Sequence, residues 1–328
     1  MILVTGAAGF IGSCVVARLD ELGIRDVYAV DWLGCEDKWK NLAKHELGGI
    51  ILPEQMDGFL ERHGSEIEAV IHMGAISTTT ERDVDLILRS NQQLSWKLWC
   101  FCRDHGARFI YASSAATYGD GSLGFVDDSS LDYLKSLRPL NPYGWSKASF
   151  DVKIARELAE GRRIPRQYVG LKFFNVYGPN EYHKGGQKSV VAHIFPSIRR
   201  DEPVKLFKSC NPDYRDGWQL RDFVYVEDVV DVIVWMLENP GVCGLFNVGT
   251  GKARSFYDLA KAAWNAMGRQ EKIVFVDMPE SIRDRYQYFT QADLTRLRNA
   301  GYSKPMTTLE DGVGEYVTRY LNSADMYR

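Results

Sequence analysis

The first twelve residues carry the pattern that most restricts how this chain can fold. Residues 1–4 are an apolar run, and three glycines, Gly6, Gly9 and Gly12, follow it at GxxGxxG spacing. From residue 10 to residue 22, apolar side chains recur on one face of a helix. Glycines at a strand-to-helix turn let the backbone approach phosphate groups, which the positive N-terminus of the helix binds. The pattern predicts a dinucleotide-binding site, with a plain turn as the alternative.

Strand-like and helix-like segments alternate through the first half of the chain. Strand-like apolar runs lie at residues 27–31, 69–73, 108–112 and 166–175. Helical spacing of apolar residues is found at residues 84–104 and 143–160. Because strands that alternate with helices form right-handed crossovers, we expect an α/β fold with a Rossmann-type doubly wound parallel sheet.

The character of the sequence changes after Gly178. Glycine, proline and charged residues crowd positions 179–217, with few regular segments among them. We therefore predict an NAD(P)-binding domain over residues 1–174 and a smaller, interwoven substrate domain over residues 175–328. The segments expected to return to the first domain lie near residues 221–238 and 245–250.

Charge and cysteine usage argue against several classes of protein. The 40 Lys and Arg residues against 43 Asp and Glu give a net charge of −3, which disfavours nucleic-acid binding through bulk positive charge. No apolar run reaches the ~18 residues of a membrane span. The six cysteines form no CxxC pair and the six histidines no HExxH pattern. We therefore expect reduced thiols, a cytoplasmic protein and no metal site.

The choice of nicotinamide cofactor depends on two residues after the second strand-like run. Asp31 lies 19 residues after Gly12, where an acidic side chain binds the ribose 2′-hydroxyl of NAD. An ordinary turn residue is the alternative. Lys38 can pair with the 2′-phosphate of NADP if Asp31 turns aside, with a solvated surface lysine as the alternative. We predict NADP and leave NAD open.

Tyr143 and Lys147 are spaced four residues apart, so a helix would point both side chains into one pocket. Free tyrosine has a pKa near ~10, but a nearby ammonium and an oxidised nicotinamide both favour phenolate. Ser114, at the end of a strand-like run, is placed to hydrogen-bond the reacting oxygen beside Tyr143. The three residues predict an acid–base site. The alternatives are a helix face with a solvated lysine and a serine that caps a turn.

These motifs follow the order and spacing of a known family. The glycine triplet, Ser114, Tyr143 and Lys147 resemble those of the extended short-chain dehydrogenases/reductases. Three further segments are similar to that family: residues 174–179, 221–226 and 246–251. The resemblance covers nearly the whole chain, and it implies a Rossmann domain and NAD(P)-dependent chemistry on a nucleotide sugar.

Within that family, the chain looks most like the epimerases that act at C6 of ADP-heptose. The similarity is carried by residues 111–119, 175–185 and 286–294. It implies that C6 is oxidised with bound NADP, that the aldehyde turns, and that hydride returns to its other face, in the synthesis of a lipopolysaccharide inner-core precursor. A tyrosine and a lysine act on opposite faces of the sugar there, and these roles map to Tyr143 and Lys184. Without the resemblance, an exposed loop lysine is the alternative for Lys184. A homo-oligomer is also implied, a pentamer being one form.

The remaining site residues are implied by their positions in the family's motifs. The expected cofactor contacts are Gly6, Gly9, Phe10, Ile11, Gly12, Asp31, Trp32, Lys38, Met73, Gly74, Ala75, Ser77, Asn91, Tyr143, Lys147, Val176 and Lys184. The expected substrate contacts are Ser114, Asn175, Gly186, His193, Phe207, Lys208, Arg221 and Tyr286. Arg221 suits a bidentate phosphate contact, with a salt bridge to Asp222 or Glu227 as the alternative. For His193 the alternative is a histidine buried in the core.

Four departures from the family pattern bear on details of the site. Met73 stands where a glutamate is usual, Pro53 lies near the place of a lysine, and Gly186 replaces a serine. Residues 210–220 carry an insertion. These departures affect cofactor and sugar contacts and leave the catalytic set intact.

Three other functions compete with C6 epimerisation. A UDP-sugar 4-epimerase shares the serine, tyrosine and lysine and does not require Lys184. A nucleotide-sugar 4,6-dehydratase needs an acidic pair where this chain has Ala115 and Ala116. A non-catalytic NADP-binding module is disfavoured, because such proteins typically lose the tyrosine or the lysine of the active site.

Overall fold

The first half of the chain is built around a parallel sheet. The computed structural model describes residues 1–283 and 286–328. The strands are β1 (Ile2–Thr5), β2 (Val27–Val30), β3 (Gly49–Ile51), β4 (Ala69–His72), β5 (Arg108–Ser114), β6 (Gln167–Phe173), β7 (Asn175–Tyr177), β8 (Val204–Phe207), β9 (Leu220–Tyr225), β10 (Gly244–Val248), β11 (Ala253–Ser255) and β12 (Ile273–Val276). The α-helices are α1 (Phe10–Glu21), α2 (Met56–His63), α3 (Val84–Ile87), α4 (Leu94–His105), α5 (Leu131–Ser136), α6 (Pro142–Ala159), α7 (Val190–Arg199), α8 (Val226–Glu238), α9 (Phe256–Ala266), α10 (Glu280–Arg283), α11 (Thr295–Asn299) and α12 (Leu309–Glu315). Within the described residues, no helix combines the length and the apolar character needed to cross a membrane.

Seven parallel strands form the central sheet, in the order β10-β6-β5-β4-β1-β2-β3. Thr5 of β1 pairs in register with His72 of β4, and His72 pairs with Tyr111 of β5. The carboxyl ends of these three strands therefore share one edge. The strand order reverses beside β1, which is where open α/β sheets bind ligands. The predicted α/β fold with a doubly wound parallel sheet is confirmed, and it brings the loops after β1, β4 and β5 together.

Apolar side chains cover both faces of the central sheet. On one face α1 packs against α8, and both contribute to the larger core cluster. On the other face, Trp99 of α4 and Phe150 of α6 pack edge-on around Phe109 of β5, at centroid distances of 6.1 and 6.4 Å. A strand buried on both faces tends to be apolar at every position. This explains why the sequences of these strands are continuous apolar runs.

Two predicted elements differ in the structure. The strand-like run at residues 166–175 splits, because β6 ends at Phe173 and β7 leaves to pair with β9 in a second sheet. At this point the backbone N–H of Phe174 donates to the carbonyl of Val248 at 3.0 Å. The helix predicted over residues 84–104 contains a π-helical segment, Leu88–Gln93, between α3 and α4. The short elements β3 and α2 correspond to no pattern identified in the sequence.

The later half of the chain forms two small sheets, with strand orders β11-β9-β7 and β12-β8. Between them, β10 returns to the central sheet and pairs with β6. Because α8 packs on α1, late and early segments of the chain are in direct contact.

Substitution of Gly12 tests the packing of the glycine loop. A β-carbon there would overlap the carbonyl oxygen of Gly6. At Gly314 in α12, a β-carbon would meet no described heavy atom within 4 Å outside its own helix backbone and chain neighbours. We expect Gly12→Ala to lower the free energy of unfolding by about 1–3 kcal/mol through overpacking. Gly314→Ala should leave it unchanged or raise it by up to about 1 kcal/mol. Equilibrium denaturant unfolding measures both, and equal effects would contradict the close packing at Gly12.

Candidate active site

The loop after β1 leaves an open backbone surface. Gly6 has φ +65°, and a β-carbon there would lie 2.5 Å from the backbone nitrogen of Gly74. Among the described residues, a β-carbon at Gly9 would approach only Gly6, at 3.0 Å from its carbonyl oxygen. Gly9 is also the N-cap of α1, whose first turn carries no acidic side chain. The open backbone and the helix N-terminus fit the pyrophosphate of a dinucleotide cofactor.

The Asp31 side chain turns towards the glycine loop. Its Oδ2 accepts a hydrogen bond from the backbone N–H of Ala8 at 2.9 Å, and its Oδ1 lies 2.7 Å from Lys38 Nζ. Lys38 also donates to the carbonyl of Trp32 at 2.8 Å. Both carboxylate oxygens of Asp31 are therefore engaged, and Lys38 balances the charge. The Trp32 side chain beside this pair is 57% exposed.

Asn91 ties the loop after β4 to the helix that carries Tyr143. Asn91 is fully buried, and its side chain exchanges two hydrogen bonds with the backbone of Ile76, at 2.8 and 2.9 Å. Its Nδ2 also donates to Ser146 Oγ of α6 at 3.0 Å. The Asn91 side chain thus holds residues 73–77 in place against α6.

The start of α6 packs tightly against the turn after Ser114. Asn141 caps the helix by accepting from the backbone N–H of Gly144 at 2.8 Å. A β-carbon at Gly144 would lie 2.6 Å from the carbonyl oxygen of Ala116. This close approach brings the Ser114 hydroxyl to the Tyr143 phenol. Burial raises the pKa of Tyr143, and the neighbouring Ser114 hydroxyl acts in the opposite direction.

Lys147 lies one helical turn after Tyr143 and is 3% exposed. Burial lowers the pKa of its ammonium to about 8, while the Asp151 carboxylate opposes that change. His72 of β4 is also buried, and its pKa falls to about 3 because of burial and the charge of Lys147. The His72 ring contacts Thr5 Oγ1 at 2.6 Å and Ser95 Oγ at 2.8 Å. At neutral pH, Lys147 is thus a desolvated cation facing an uncharged histidine.

Lys184 lies beside the glycine loop. Its Nζ is 5.4 Å from the centroid of the Phe10 ring at the start of α1. Burial lowers the pKa of Lys184, with Glu181 opposing the change. The neighbouring His183 has a pKa lowered to about 4 by burial and by the charges of Lys38 and Lys184. The segment is anchored at Tyr182, whose hydroxyl donates to the carbonyl of Met326 at 2.6 Å.

The predicted site residues differ in exposure. Of the predicted cofactor contacts, the buried ones are Phe10, Gly12, Asp31, Asn91 and Lys147; the half-buried ones are Gly6, Gly9, Ile11, Lys38, Met73, Gly74, Ala75, Tyr143, Val176 and Lys184; and the exposed ones are Trp32 and Ser77. Of the predicted substrate contacts, Arg221 is buried, Ser114, Phe207 and Tyr286 are half-buried, and Asn175, Gly186, His193 and Lys208 are exposed. The His193 Nε2 contacts the carbonyl of Gly186 at 3.3 Å, so the structure brings these two together and the core-histidine alternative is wrong.

Arg221 forms neither of the salt bridges considered from the sequence. Its guanidinium donates to the carbonyls of Leu220, at 2.8 Å, and Gln287, and it lies 5.1 Å from the centroid of the Tyr286 ring. The Asp222 carboxylate instead accepts hydrogen bonds from Thr250, Gly251 and Ala292. The Glu227 carboxylate pairs with Arg18 and Arg328. Among the described residues, backbone carbonyls and an aromatic face therefore orient Arg221, and no carboxylate pairs with it.

Asp151, Lys172 and His72 lie next to the site but were not predicted from the sequence. Asp151 and Lys172 form a buried ion pair at 2.8 Å. Two signals were available: Asp151 is four residues after Lys147, and Lys172 interrupts an otherwise apolar strand. Neither signal identifies the partner, because β6 and α6 approach each other only in the folded sheet.

Comparisons with known proteins agree with this geometry. The chain matches the family described as NAD dependent epimerase/dehydratase over residues 2–249. A curated relative from Nitratidesulfovibrio vulgaris, named ADP-L-glycero-D-manno-heptose-6-epimerase, is 51% identical over 99% of each chain. The solved ADP-L-glycero-D-manno-heptose-6-epimerase of Helicobacter pylori is 28% identical, with a TM-score of 0.79 over 97% of this chain and 95% of that one. The UDP-glucose 4-epimerase of Thermus thermophilus, solved with NAD, is 25% identical, with a TM-score of 0.75 over 98% and 99%.

Lys147 should make stability depend on pH. Its pKa in the folded protein is about 8, against an ordinary value of 10.5, so between these values the folded chain binds fewer protons here than the unfolded chain. Its contribution to the free energy of unfolding should therefore rise with pH across this interval, by about 1.4 kcal/mol per pH unit. Lys147→Met lacks this contribution. The measurement is therefore the free energy of unfolding of the parent minus that of Lys147→Met, determined as a function of pH. A flat difference would contradict a desolvated lysine.

Proposed function

Because the chain belongs to the NAD dependent epimerase/dehydratase family, we propose that it inverts C6 of the heptose in ADP-D-glycero-D-manno-heptose. The product is ADP-L-glycero-D-manno-heptose, a precursor of the lipopolysaccharide inner core. The observation that carries this function is the 51% identity, over almost the full length, to a relative named for this epimerase. The direct test is conversion of ADP-D-glycero-D-manno-heptose by the purified protein, followed by NMR of the product.

Tyr143 is the proposed base for the C6 hydroxyl. When bound, NAD(P) supplies the hydride acceptor and donor for C6. Burial alone disfavours the phenolate of Tyr143, so a neighbouring positive charge is needed to make it a useful base near neutral pH. Lys147 supplies that charge, because a pKa of about 8 keeps most of its ammonium protonated at pH 7. Ser114 holds the reacting oxygen and the phenol in one hydrogen-bonded arrangement.

Lys184 is the proposed second acid–base group. Epimerisation reverses the face from which C6 receives hydride, so the oxygen needs a proton donor in each of its two positions. Lys184 comes from a different segment than Tyr143 and lies against Phe10, beside the proposed cofactor site. Burial lowers its pKa, which brings proton exchange closer to neutral pH. These features support a role on the opposite face from Tyr143.

NADP is the proposed cofactor. An acidic residue at the end of the second strand favours NAD when its carboxylate is free to bind the ribose 2′-hydroxyl. Here the Asp31 oxygens are already engaged by Ala8 and Lys38, so the carboxylate is not free for the 2′-hydroxyl. The Lys38 ammonium would bind a 2′-phosphate by exchanging its Asp31 contact for the phosphate. These features support NADP over NAD.

The nucleotide-sugar site is proposed to lie in the later half of the chain. Its proposed contacts are Ser114, Asn175, Gly186, His193, Phe207, Lys208, Arg221 and Tyr286. Arg221 supports this assignment, because backbone carbonyls hold its guanidinium beside the Tyr286 ring, and a guanidinium suits a bidentate phosphate contact. We also propose the division into a cofactor domain, residues 1–174, and a substrate domain, residues 175–328. A cytoplasmic homo-oligomer is part of the same proposal.

A UDP-sugar 4-epimerase is the second candidate function. The similarity to the Thermus thermophilus UDP-glucose 4-epimerase favours it, and the Ser114, Tyr143 and Lys147 set serves that reaction equally well. The two candidates are separated by offering the purified protein ADP-heptose and UDP-galactose in parallel. Turnover of UDP-galactose alone would favour the second candidate.

Substitution of Lys38 tests cofactor choice. We expect Lys38→Ala to weaken NADP binding by about 10–100-fold, the usual effect of a lost charge-assisted hydrogen bond, and to weaken NAD binding less. Lys40→Ala is the matched control, because Lys40 lies two residues further on and pairs with the exposed Asp37. It should leave both affinities unchanged. Equal losses of NADP and NAD affinity in Lys38→Ala would remove the role assigned to Lys38.

Substitution of each proposed base tests the division of labour between them. Tyr143→Phe and Lys184→Met should each slow epimerisation by roughly 10²–10⁴-fold and leave cofactor binding largely intact, since each removes one acid–base group. A substrate analogue with an aldehyde at C6 sharpens the test. Two such aldehydes can disproportionate, one oxidised and one reduced, without turning in the site. One functional base should suffice for that reaction.

The aldehyde analogue therefore distinguishes the single variants from the double variant. Each single variant should retain much of the disproportionation, and the double variant should lose it. Lys188→Met, four residues beyond Lys184, is the control for loss of a nearby positive charge. If Lys184→Met epimerises the natural substrate near the parent rate, Lys184 is only a loop lysine, and the 4-epimerase becomes the better candidate.

A further inference from the structure

A buried ion pair lies directly behind the proposed acid–base residues. Lys172 of β6 is 0% exposed and Asp151 of α6 is 2% exposed, with 2.8 Å between Lys172 Nζ and Asp151 Oδ2. The Asp151 carboxylate also accepts hydrogen bonds from Tyr111, at 2.9 Å, and from Ser113, at 2.7 Å. The pair is thus fully enclosed, and its carboxylate is hydrogen-bonded on both oxygens.

The same pair reaches the turn that presents Ser114. Lys172 Nζ donates to Thr117 Oγ1 at 2.6 Å, and the Thr117 hydroxyl donates to the carbonyl of Ser114 at 2.8 Å. Ser113, the residue before Ser114, is held by Asp151. Hydrogen bonds from the ion pair therefore fix the backbone on both sides of the Ser114 hydroxyl.

The pair also lies on the helix that carries the proposed base. Asp151 is one helical turn after Lys147 and two turns after Tyr143, all on α6. The titratable groups facing Lys147 are the Asp151 carboxylate on its own helix and the His72 ring of β4, which is uncharged at neutral pH. The Asp151 charge raises the pKa of Lys147, and Lys172 is the ion-pair partner of Asp151, so a change at either residue should alter the electrostatic environment of Lys147.

Stability alone gives no reason for a charged pair at this position. A buried ion pair can often be replaced by apolar residues of similar volume without loss of stability. What apolar residues cannot supply is the set of directed hydrogen bonds to Ser113 and Thr117. A misplacement of about 1 Å in a catalytic group can slow a reaction about 10²-fold, so such bonds matter for the rate.

We propose that Lys172 is a positioning residue, which by pairing with Asp151 and binding Thr117 locks the Ser114 turn onto the helix that carries Tyr143 and Lys147. The kinetic part of this inference rests on the proposed function. The structural part concerns only residues of this chain and is open to a measurement without substrate. Lys172 itself does not touch the substrate or cofactor in this assignment.

The first experiment follows the titration of Lys147 by NMR in protein labelled with ¹³C at lysine Cε, with Lys147→Met to assign the signal. Lys172→Met leaves the Asp151 carboxylate without its ion-pair partner, so the Lys147 midpoint should rise by about one pH unit. Asp151→Asn removes the carboxylate that raises the pKa of Lys147 and leaves the Lys172 cation, so the midpoint should fall by a similar amount. The double variant lacks both charges, so its midpoint should lie between those of Asp151→Asn and the parent. Midpoints that do not move, or move in one direction in both single variants, would overturn the proposal.

The second experiment measures epimerisation in the same variants. Lys172→Met should lower kcat by about 10–100-fold with KM nearly unchanged, and Lys172→Arg should restore much of it. The double variant should also stay slow, because the hydrogen bond to Thr117 is still missing. Parental kcat in Lys172→Met or in the double variant would overturn a positioning role.

Two controls keep the outcome interpretable. Asp228→Asn removes another buried carboxylate, which binds Thr307 from α8, and should leave the Lys147 midpoint unchanged. The double variant leaves no unpaired buried charge, so it remains testable if Lys172→Met fails to fold. If no epimerase activity is found in the parent, the proposed function fails, while the opposite shifts of the Lys147 midpoint still decide the role of the ion pair.

Discussion

The close packing of the glycine loop against the loop after β4 is the contact on which the site depends. A side chain at Gly6 would meet the backbone of Gly74, and one at Gly12 would overlap the glycine loop itself. Because β1 and β4 are adjacent parallel strands, their carboxyl ends deliver these loops to one edge of the sheet. The open backbone at Gly9 and the helix N-terminus follow from this packing, and their geometry fits the pyrophosphate of a dinucleotide.

Buried charge is the second constraint, and the way in which each buried charge is compensated differs from one residue to the next. Lys172 is paired with Asp151 and fully enclosed. Lys147 is desolvated with partial compensation, so its pKa moves to about 8. Asp31 is balanced by Lys38 at the other end of the cofactor loop. The proposed acid–base site requires a cation that stays charged near neutral pH in a dry environment, and the Asp151 carboxylate one turn away helps Lys147 to meet that condition.

The spacing of residues in the sequence correctly predicted the features that lie within a single helix, strand or turn. The glycine triplet, the Tyr143–Lys147 pair and the parallel sheet all follow from periods of two and 3.6 residues and from turn chemistry. Where the structure differed, contacts between elements were involved in one case. The strand-like run at residues 166–175 divides between two sheets, because its later part pairs with β9, which is distant in sequence. For Arg221, the salt-bridge alternative is wrong, because its guanidinium binds backbone carbonyls and lies beside an aromatic ring.

The sequence by itself determined the α/β class, the site of the glycine loop, the family and the helix face that bears Tyr143 and Lys147, because each depends on residues within one element or on a motif of fixed spacing. Only the tertiary structure decided that Asp31 turns towards Ala8, that Lys172 pairs with Asp151 and that Lys184 lies against Phe10. Each of these contacts joins separate elements. Their approach is set by strand order and helix packing, which the periodicity of a single segment does not encode.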